Sequence, residues 1–326
     1  MNKRPIFLLG AHKSGTSLLR SLFDGHSQLF ALPLETHFFE NMHYWVDYEY
    51  RRQRPASLNR DEIIESFCKW IHHSNSSSDK YADSVAEGIF DEAKFRNHFS
   101  TIKTDDNDTN RMGIYFEAIY NAVYGHVPLP TIRMVEKSIE HAEFAMNIQV
   151  LFPEAKFIHI IRNPYANIVA LRRFKCFSDG FPLMPRILDS LYNSYYYLYK
   201  NSRFLKNYYV IRYEDLVTNP KKSLEHICQF LDIPFEDKLL VPTYLGKAWG
   251  GNSTTGKVFT GIDASNLDKW RTTIYPFEIF YVNKLFPFIF TDYNYESVTG
   301  HGSSWKRAKG ENLVRYLYNR LYRFYI

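Results

Sequence analysis

The chain has 326 residues, 45% of them hydrophobic, and 40 Lys and Arg against 35 Asp and Glu give a formal net charge of +5. That length suffices for one large domain with a substantial core, the composition excludes a disordered chain, and so mild a basic excess gives no ground for nucleic-acid binding. Cys68, Cys176 and Cys228 are few, odd in number and far apart, which excludes a C-x-x-C zinc or dithiol motif and points to a reducing, cytoplasmic setting.

In chain order, Ile6-Phe-Leu-Leu9 is too short for the apolar core of a secretory leader and reads as a buried strand. A helix is expected to start near Thr16 and carry Leu18, Leu19, Leu22 and Phe23. Another strand leads into Leu32-Pro-Leu-Glu35-Thr-His-Phe-Phe39. Residues 40–130 form a mostly helical insertion, broken by polar stretches at 74–79 and 104–110 that read as exposed loops. Ile132–Val135, Phe157–Ile161 and Tyr209–Ile211 are further apolar strands, with helices over Glu140–Val150, from Pro164, and over Pro220–Leu231. Strands alternating with helices imply an α/β fold with a mainly parallel central sheet.

Residues 1–300 then form one domain, with a boundary at Gly300-His-Gly-Ser-Ser304. A basic, aromatic helix follows within 301–326, placing Leu313, Leu317 and Leu321 on one face and Arg315, Arg320 and Arg323 elsewhere. Packing of that apolar face on the domain is the ordinary expectation; contact with a membrane surface or a polyanion is the alternative. No apolar window reaches the roughly 20 residues that a membrane-spanning helix needs.

The segment Gly10-Ala-His-Lys-Ser-Gly-Thr-Ser17, between strand and helix, is built to surround an oxyanion with backbone N–H groups and a helix N-terminus. Its glycines have the spacing of the nucleotide P-loop, but Thr16 stands where that motif needs lysine, and Lys13 lies inside the loop instead. A lysine there reaches a group attached directly to the cradled phosphate, which suits a phosphosulfate better than a triphosphate.

Lys13-Ser-Gly-Thr-Ser17 resembles the 5′-phosphosulfate loop of sulfotransferases that use 3′-phosphoadenosine 5′-phosphosulfate (PAPS). Phe152–Pro164, ending in Arg162-Asn-Pro, is similar to their 3′-phosphate element. Tyr213-Glu-Asp-Leu216 and Asp268-Lys-Trp270 resemble two later landmarks. The 32–39 segment looks like the glutamate-bearing segment of the carbohydrate and tyrosylprotein branches.

The resemblance implies PAPS as donor and sulfuryl transfer to an acceptor hydroxyl, with a glycan or polysaccharide favoured and a tyrosine or small molecule as the alternatives. No metal is expected, because the sequence shows no clustered ligand set and a phosphosulfate donor does not need the magnesium that a triphosphate does. The resemblance assigns Lys13 to the bridging oxygen and sulfuryl group; Ser14, Gly15, Thr16 and Ser17 to the 5′-phosphate; and Arg162 to the 3′-phosphate. Tyr213 belongs to the donor site. Lys137 stabilises the transferring group and Glu35 is the general base, its carboxyl lifted towards neutrality by apolar Leu34, Phe38 and Phe39. His37 is a rival base.

The family places a serine eight residues after the arginine; here that donor-site position is Ala170, and Asn167, Arg172 or Arg173 is expected to compensate. Gly250–Val258 reads as a flap over the donor, offering Ser253, Thr254 and Lys257. An atypical P-loop nucleotide kinase, or a non-catalytic binder of adenosine bisphosphates or polyanions, is the alternative reading.

Overall fold

The computed structural model describes residues 2–47, 59–76, 89–175, 180–253, 257–299 and 307–325. The apolar runs form the strands. β1 (Ile6–Leu9) leads through the glycine loop into α1 (Thr16–Phe23), and β2 (Leu29–Ala31) follows at the edge of the sheet. α2 (Phe38–Asn41), α3 (Arg60–Ser76), α4 (Glu92–Phe99) and α5 (Asp108–Tyr124) make up the insertion. Then come β3 (Arg133–Glu136), α6 (His141–Leu151), β4 (Lys156–Ile161), α7 (Pro164–Lys175), α8 (Met184–Phe204) and β5 (Tyr208–Arg212). α9 (Tyr213–Thr218), α10 (Pro220–Leu231), a two-residue hairpin pairing Thr243–Tyr244 with Lys247–Ala248, α11 (Pro276–Leu285), α12 (Pro287–Asp292) and α13 (Leu313–Leu321) complete it.

All five strands of the main sheet are parallel, in the order β2-β3-β1-β4-β5, with β1 central. Strand periodicity sorts its side chains. Ile6 and Leu8 enter one core with Leu19, Leu22 and Ile227, whereas Phe7 and Leu9 enter the opposite core with Phe116 and Phe157. Each such buried side chain contributes roughly 1.5–3 kcal/mol. With both faces covered, functional groups gather at the carboxyl edge.

The insertion is helical, as its pattern predicts, and packs through Phe67, Phe95, Phe99 and Tyr115. The polar stretches are less loop-like than expected. Asn107 caps α5 by accepting from the Asn110 amide at 2.9 Å, so 108–110 are helical. Residues 74–76 are the last of α3, while 77–79 lie outside the described residues.

The last helix departs more from expectation. Leu313, Leu317 and Leu321 are 61%, 44% and 52% exposed, while Arg320 is 3% exposed. The domain receives the polar side because Glu311, itself buried, pairs with Arg320 at 3.2 Å, and Phe277 lies under its guanidinium at 3.7 Å. The expected boundary at 300–304 lies outside the described residues. Among the described residues no helix is long and apolar enough to cross a membrane.

Candidate active site

The loop after β1 is shaped by two glycines and one strained lysine. Gly10 has φ 150°, and a Cβ there would lie 2.5 Å from the Ile160 carbonyl; Gly15 has φ 112°, and its Cβ would lie 2.5 Å from the Tyr213 ring. Only glycine fits either position without a shift. Lys13 adopts φ 62°, a conformation that costs a non-glycine residue of order 1 kcal/mol and persists only when its surroundings impose it. The Arg162 Nη1 donates to the Lys13 carbonyl at 3.0 Å, and Asn167 Nδ2 donates to the His12 carbonyl at 2.8 Å. The end of β4 and the first turns of α7 therefore take up these two carbonyls, while the Ser14 amide closes the turn on the Ala11 carbonyl at 3.1 Å, so that an anion falls to the amide end of α1. Gly15 caps α1 with no side-chain bond, and no acidic residue stands in that first turn.

At the end of β3, Lys137 is nearly buried and contacts the Glu35 carboxylate and, at 3.3 Å, the Ser17 hydroxyl. One ammonium thus joins the acidic residue to the anion loop across three stretches of sequence. Glu35 Oε2 also lies 3.5 Å from His37 Nε2. Burial pushes the Glu35 carboxyl up, but Lys137, His37 and His12 together outweigh it and hold the group below its ordinary value. This corrects the expected lift towards neutrality. Leu34, Phe38 and Phe39 are indeed buried, but they belong to the core, and the carboxylate faces cations.

The Glu35 segment is clamped by residues that the sequence pattern does not single out. The Thr36 amide and hydroxyl donate to Glu136 at 3.2 and 2.8 Å, and the Thr36 and His37 amides donate to Ser138 Oγ at 2.9 and 3.2 Å. From the insertion, Trp70 Nε1 donates to the Glu35 carbonyl at 2.9 Å and Tyr115 OH to the Thr36 carbonyl at 3.0 Å. Arg20 Nη1 and Tyr244 OH hold the Pro33 carbonyl at 3.2 and 2.7 Å. His37 sits at φ 44°, its Nδ1 2.6 Å from the buried Glu140 carboxylate and its ring edge-on to Trp70. Glu136, Ser138 and Glu140 stand around Lys137 in sequence, which is the signal that could have found them.

The fold also corrects the reading that no metal-ligand set is clustered. Glu35, His37 and Glu140 each place one ligand atom within 4.8 Å of the others. Within the protein the Lys137 ammonium pairs with Glu35, and His37 Nδ1 lies 2.6 Å from Glu140.

Glu35, Lys137, Lys13, Thr16 and Ser17 open on a cleft of about 310 Å³ lined also by Arg162, Ala170, Arg173, Phe174 and Tyr213. The Arg162 guanidinium lies 4.8 Å over the Tyr213 ring, and its Nε is buried without a hydrogen-bond partner, as is Ser14 Oγ. Of these two, Arg162 lines the cleft, and its orphaned donor fits an anionic group of a ligand. Of the three residues expected to compensate for Ala170, Arg172 turns into the core against Glu278 and Thr273, and Asn167 is engaged with the loop. Arg173, one helical turn from Ala170, lines the cleft.

From the flap segment, Asn252 donates to Ser17 Oγ at 3.0 Å and its carbonyl accepts from Lys13 Nζ at 3.4 Å, so this part rests on the anion loop. Lys257 and Ser253 line the cleft, and Lys257 is ion-paired with Asp263; Thr254 lies outside the described residues. Trp270 is stacked on Tyr165 at 4.9 Å beneath the cleft. Glu214, beside Tyr213, accepts from the Asn163 amide at 2.9 Å and fixes the start of α7.

A parallel sheet with an anion loop after its central strand and a Lys–Glu pair at its carboxyl edge defines a group-transfer fold of the nucleotide-binding kind. The chain belongs to the sulfotransferase family, whose model matches residues 5–237. An uncharacterized protein of Aquifex aeolicus (strain VF5) is 23% identical over 284 residues, 83% of this chain and 31% of that protein. Protein-tyrosine sulfotransferase A of Caenorhabditis elegans is 28% identical over 152 residues, 42% of this chain and 40% of its own length. The chain thus spans well under half the length of these curated relatives. The sulfotransferase domain from the curacin biosynthetic pathway shares the fold with a TM-score of 0.58 at 22% identity, over 90% of this chain and 99% of that domain.

Proposed function

We propose that this protein transfers the sulfuryl group of PAPS to an acceptor hydroxyl, with a glycan or polysaccharide hydroxyl as the favoured acceptor. The observation that carries the reading is Lys137, which touches both Glu35 and Ser17 and so sets a proton acceptor beside the anion loop. The donor brings an activated sulfuryl group. In-line attack forms the acceptor O–S bond as the bond from sulfur to the bridging oxygen breaks, and its electron pair leaves on the 5′-phosphate of adenosine 3′,5′-bisphosphate.

Glu35, ionised because its carboxyl is held low, takes the acceptor proton. Lys13 faces the bridging oxygen, Lys137 the sulfuryl oxygens, and the 15–17 amides hold the 5′-phosphate, the Ser14 amide being taken by the Ala11 carbonyl. Arg162 and Arg173 take the 3′-phosphate, with Tyr213 below the former and Lys257 at the rim. No step in this scheme uses a metal.

The same reading makes 1–300 one catalytic domain with the insertion on the acceptor side, where Trp70 and Tyr115 hold the Glu35 segment. Free, buried Cys68 and Cys228 accord with a cytoplasmic setting. Trp249 and Phe259 beside Asn252 and Ser253 suit the apolar face and hydroxyls of a sugar. The test is incubation with labelled PAPS and a panel of glycans, phenols, tyrosine peptides and lipids. Label on a glycan hydroxyl is expected. Label on tyrosine peptides alone would move the acceptor class, and no labelled product on any class would end the proposal.

A further inference from the structure

The element over 307–325 is amphipathic with its polar side inward. Asn319 Nδ2 donates to the Pro182 carbonyl at 3.1 Å and to Glu311 at 2.9 Å, its Oδ1 accepts from the Met184 amide at 2.8 Å, and Arg320 pairs with Glu311. Leu313, Val314, Leu317, Tyr318, Leu321 and Phe324 are 44–76% exposed. At about 100° per residue these six span an arc of roughly 140°, a continuous apolar stripe. A soluble surface seldom carries such a stripe uncovered.

Charge says what covers it. From 307 to 325 the sequence holds one acid, Glu311, which is buried and neutralised by Arg320. Arg307 and Lys309 are exposed in the turn before α13; half-exposed Arg315 and Arg323 stand about 60° and 80° beyond the two edges of the stripe, Arg315 also donating from Nη1 to the Phe181 carbonyl at 3.1 Å. Two copies meeting stripe to stripe about a two-fold axis would oppose these cations to one another. A lipid surface carrying phosphate and carboxylate headgroups attracts them, while tyrosines suit its interface.

We propose that α13 lies in the surface of an anionic bilayer, its stripe among the acyl chains and its basic residues at headgroup level. This does not depend on which acceptor the cleft takes. The test is co-sedimentation of the full chain with vesicles of phosphatidylcholine, with and without phosphatidylserine. Binding about tenfold or more tighter to the phosphatidylserine vesicles, weakening as salt rises, is expected.

A Val314→Ser/Leu317→Ser/Leu321→Ser variant should bind about tenfold or more weaker, with its thermal midpoint unchanged because these side chains are exposed. No vesicle binding, or binding that the variant retains, overturns the proposal. So does a concentration-dependent dimer in analytical ultracentrifugation that the variant dissolves, which would give the stripe to a second copy.

Discussion

Replacing Lys137 by Met removes the ammonium and keeps most of the volume, so it isolates charge. Glu35 then loses the largest of the influences holding its carboxyl down, and burial, the strongest single influence on it, is opposed only by His37 and His12, so the carboxyl rises from its parental value. A base must be ionised to act. In the parent the acid limb of kcat therefore lies below the usual glutamate range, and in the variant it moves to higher pH. Breaking a buried ion pair costs roughly 3–5 kcal/mol, but the Glu35 side chain is 21% exposed and can take up a proton, so about 1–3 kcal/mol is expected. That lowers the melting temperature by a few degrees, at about 1–2 °C per kcal/mol for a chain of this length. The transferring group loses a donor in a low-dielectric cleft, worth about 10²–10³ in kcat. The assay is a kcat–pH profile on both proteins, with a Glu35→Gln/Lys137→Met double variant whose stability loss should fall short of the sum of the singles. A variant within about tenfold of parental kcat with an unmoved acid limb would refute the reasoning.

Gly15→Ala forces a side chain into φ 112° and against Tyr213, and should abolish measurable calorimetric binding of adenosine 3′,5′-bisphosphate; retained affinity would count against the anion loop. Ala170→Ser restores a hydroxyl one turn from Arg173 and should tighten adenosine 3′,5′-bisphosphate by about 3–10-fold while leaving adenosine 5′-phosphate unchanged. Arg173→Ala should weaken the bisphosphate selectively by about tenfold or more. His159, fully buried between Tyr208 and Ser194, is pushed down to about 3 by burial. Since the unfolded chain binds its proton near pH 6.5 and the folded one does not, stability falls by about 1.4 kcal/mol per unit as pH drops from 6.5 to about 3. The melting temperature of His159→Gln should fall less on acidification than that of the parent, and parallel slopes would disprove the assignment.

The sheet was largely legible because its signal is local: Ile6–Leu9 has the observed bounds, and the other three apolar runs are correct to within one residue at each end. Leu29–Ala31, at three residues, is too short for periodicity to bound, and α8 hides among tyrosines that face both core and solvent. Lys13, Glu35, Lys137 and Arg162 were found as types at positions, and the fold brings all of them to one cleft. What sequence could not give was who faces whom. Glu35 looked apolar from Leu34 and Phe38, but its charge state is set by Lys137, about a hundred positions away. Likewise the periodicity of α13 revealed an apolar face without revealing that Glu311 turns Arg320 inward.

Parallel binding and turnover by the parent and Glu35→Gln test the central claim most directly. Glu35→Gln keeps the shape and leaves the anion loop intact, so it should bind adenosine 3′,5′-bisphosphate within a few-fold of the parent while transfer of label from PAPS falls about 10²-fold or more. Undiminished transfer by Glu35→Gln, or a parent protein that leaves the bisphosphate unbound, would contradict the account.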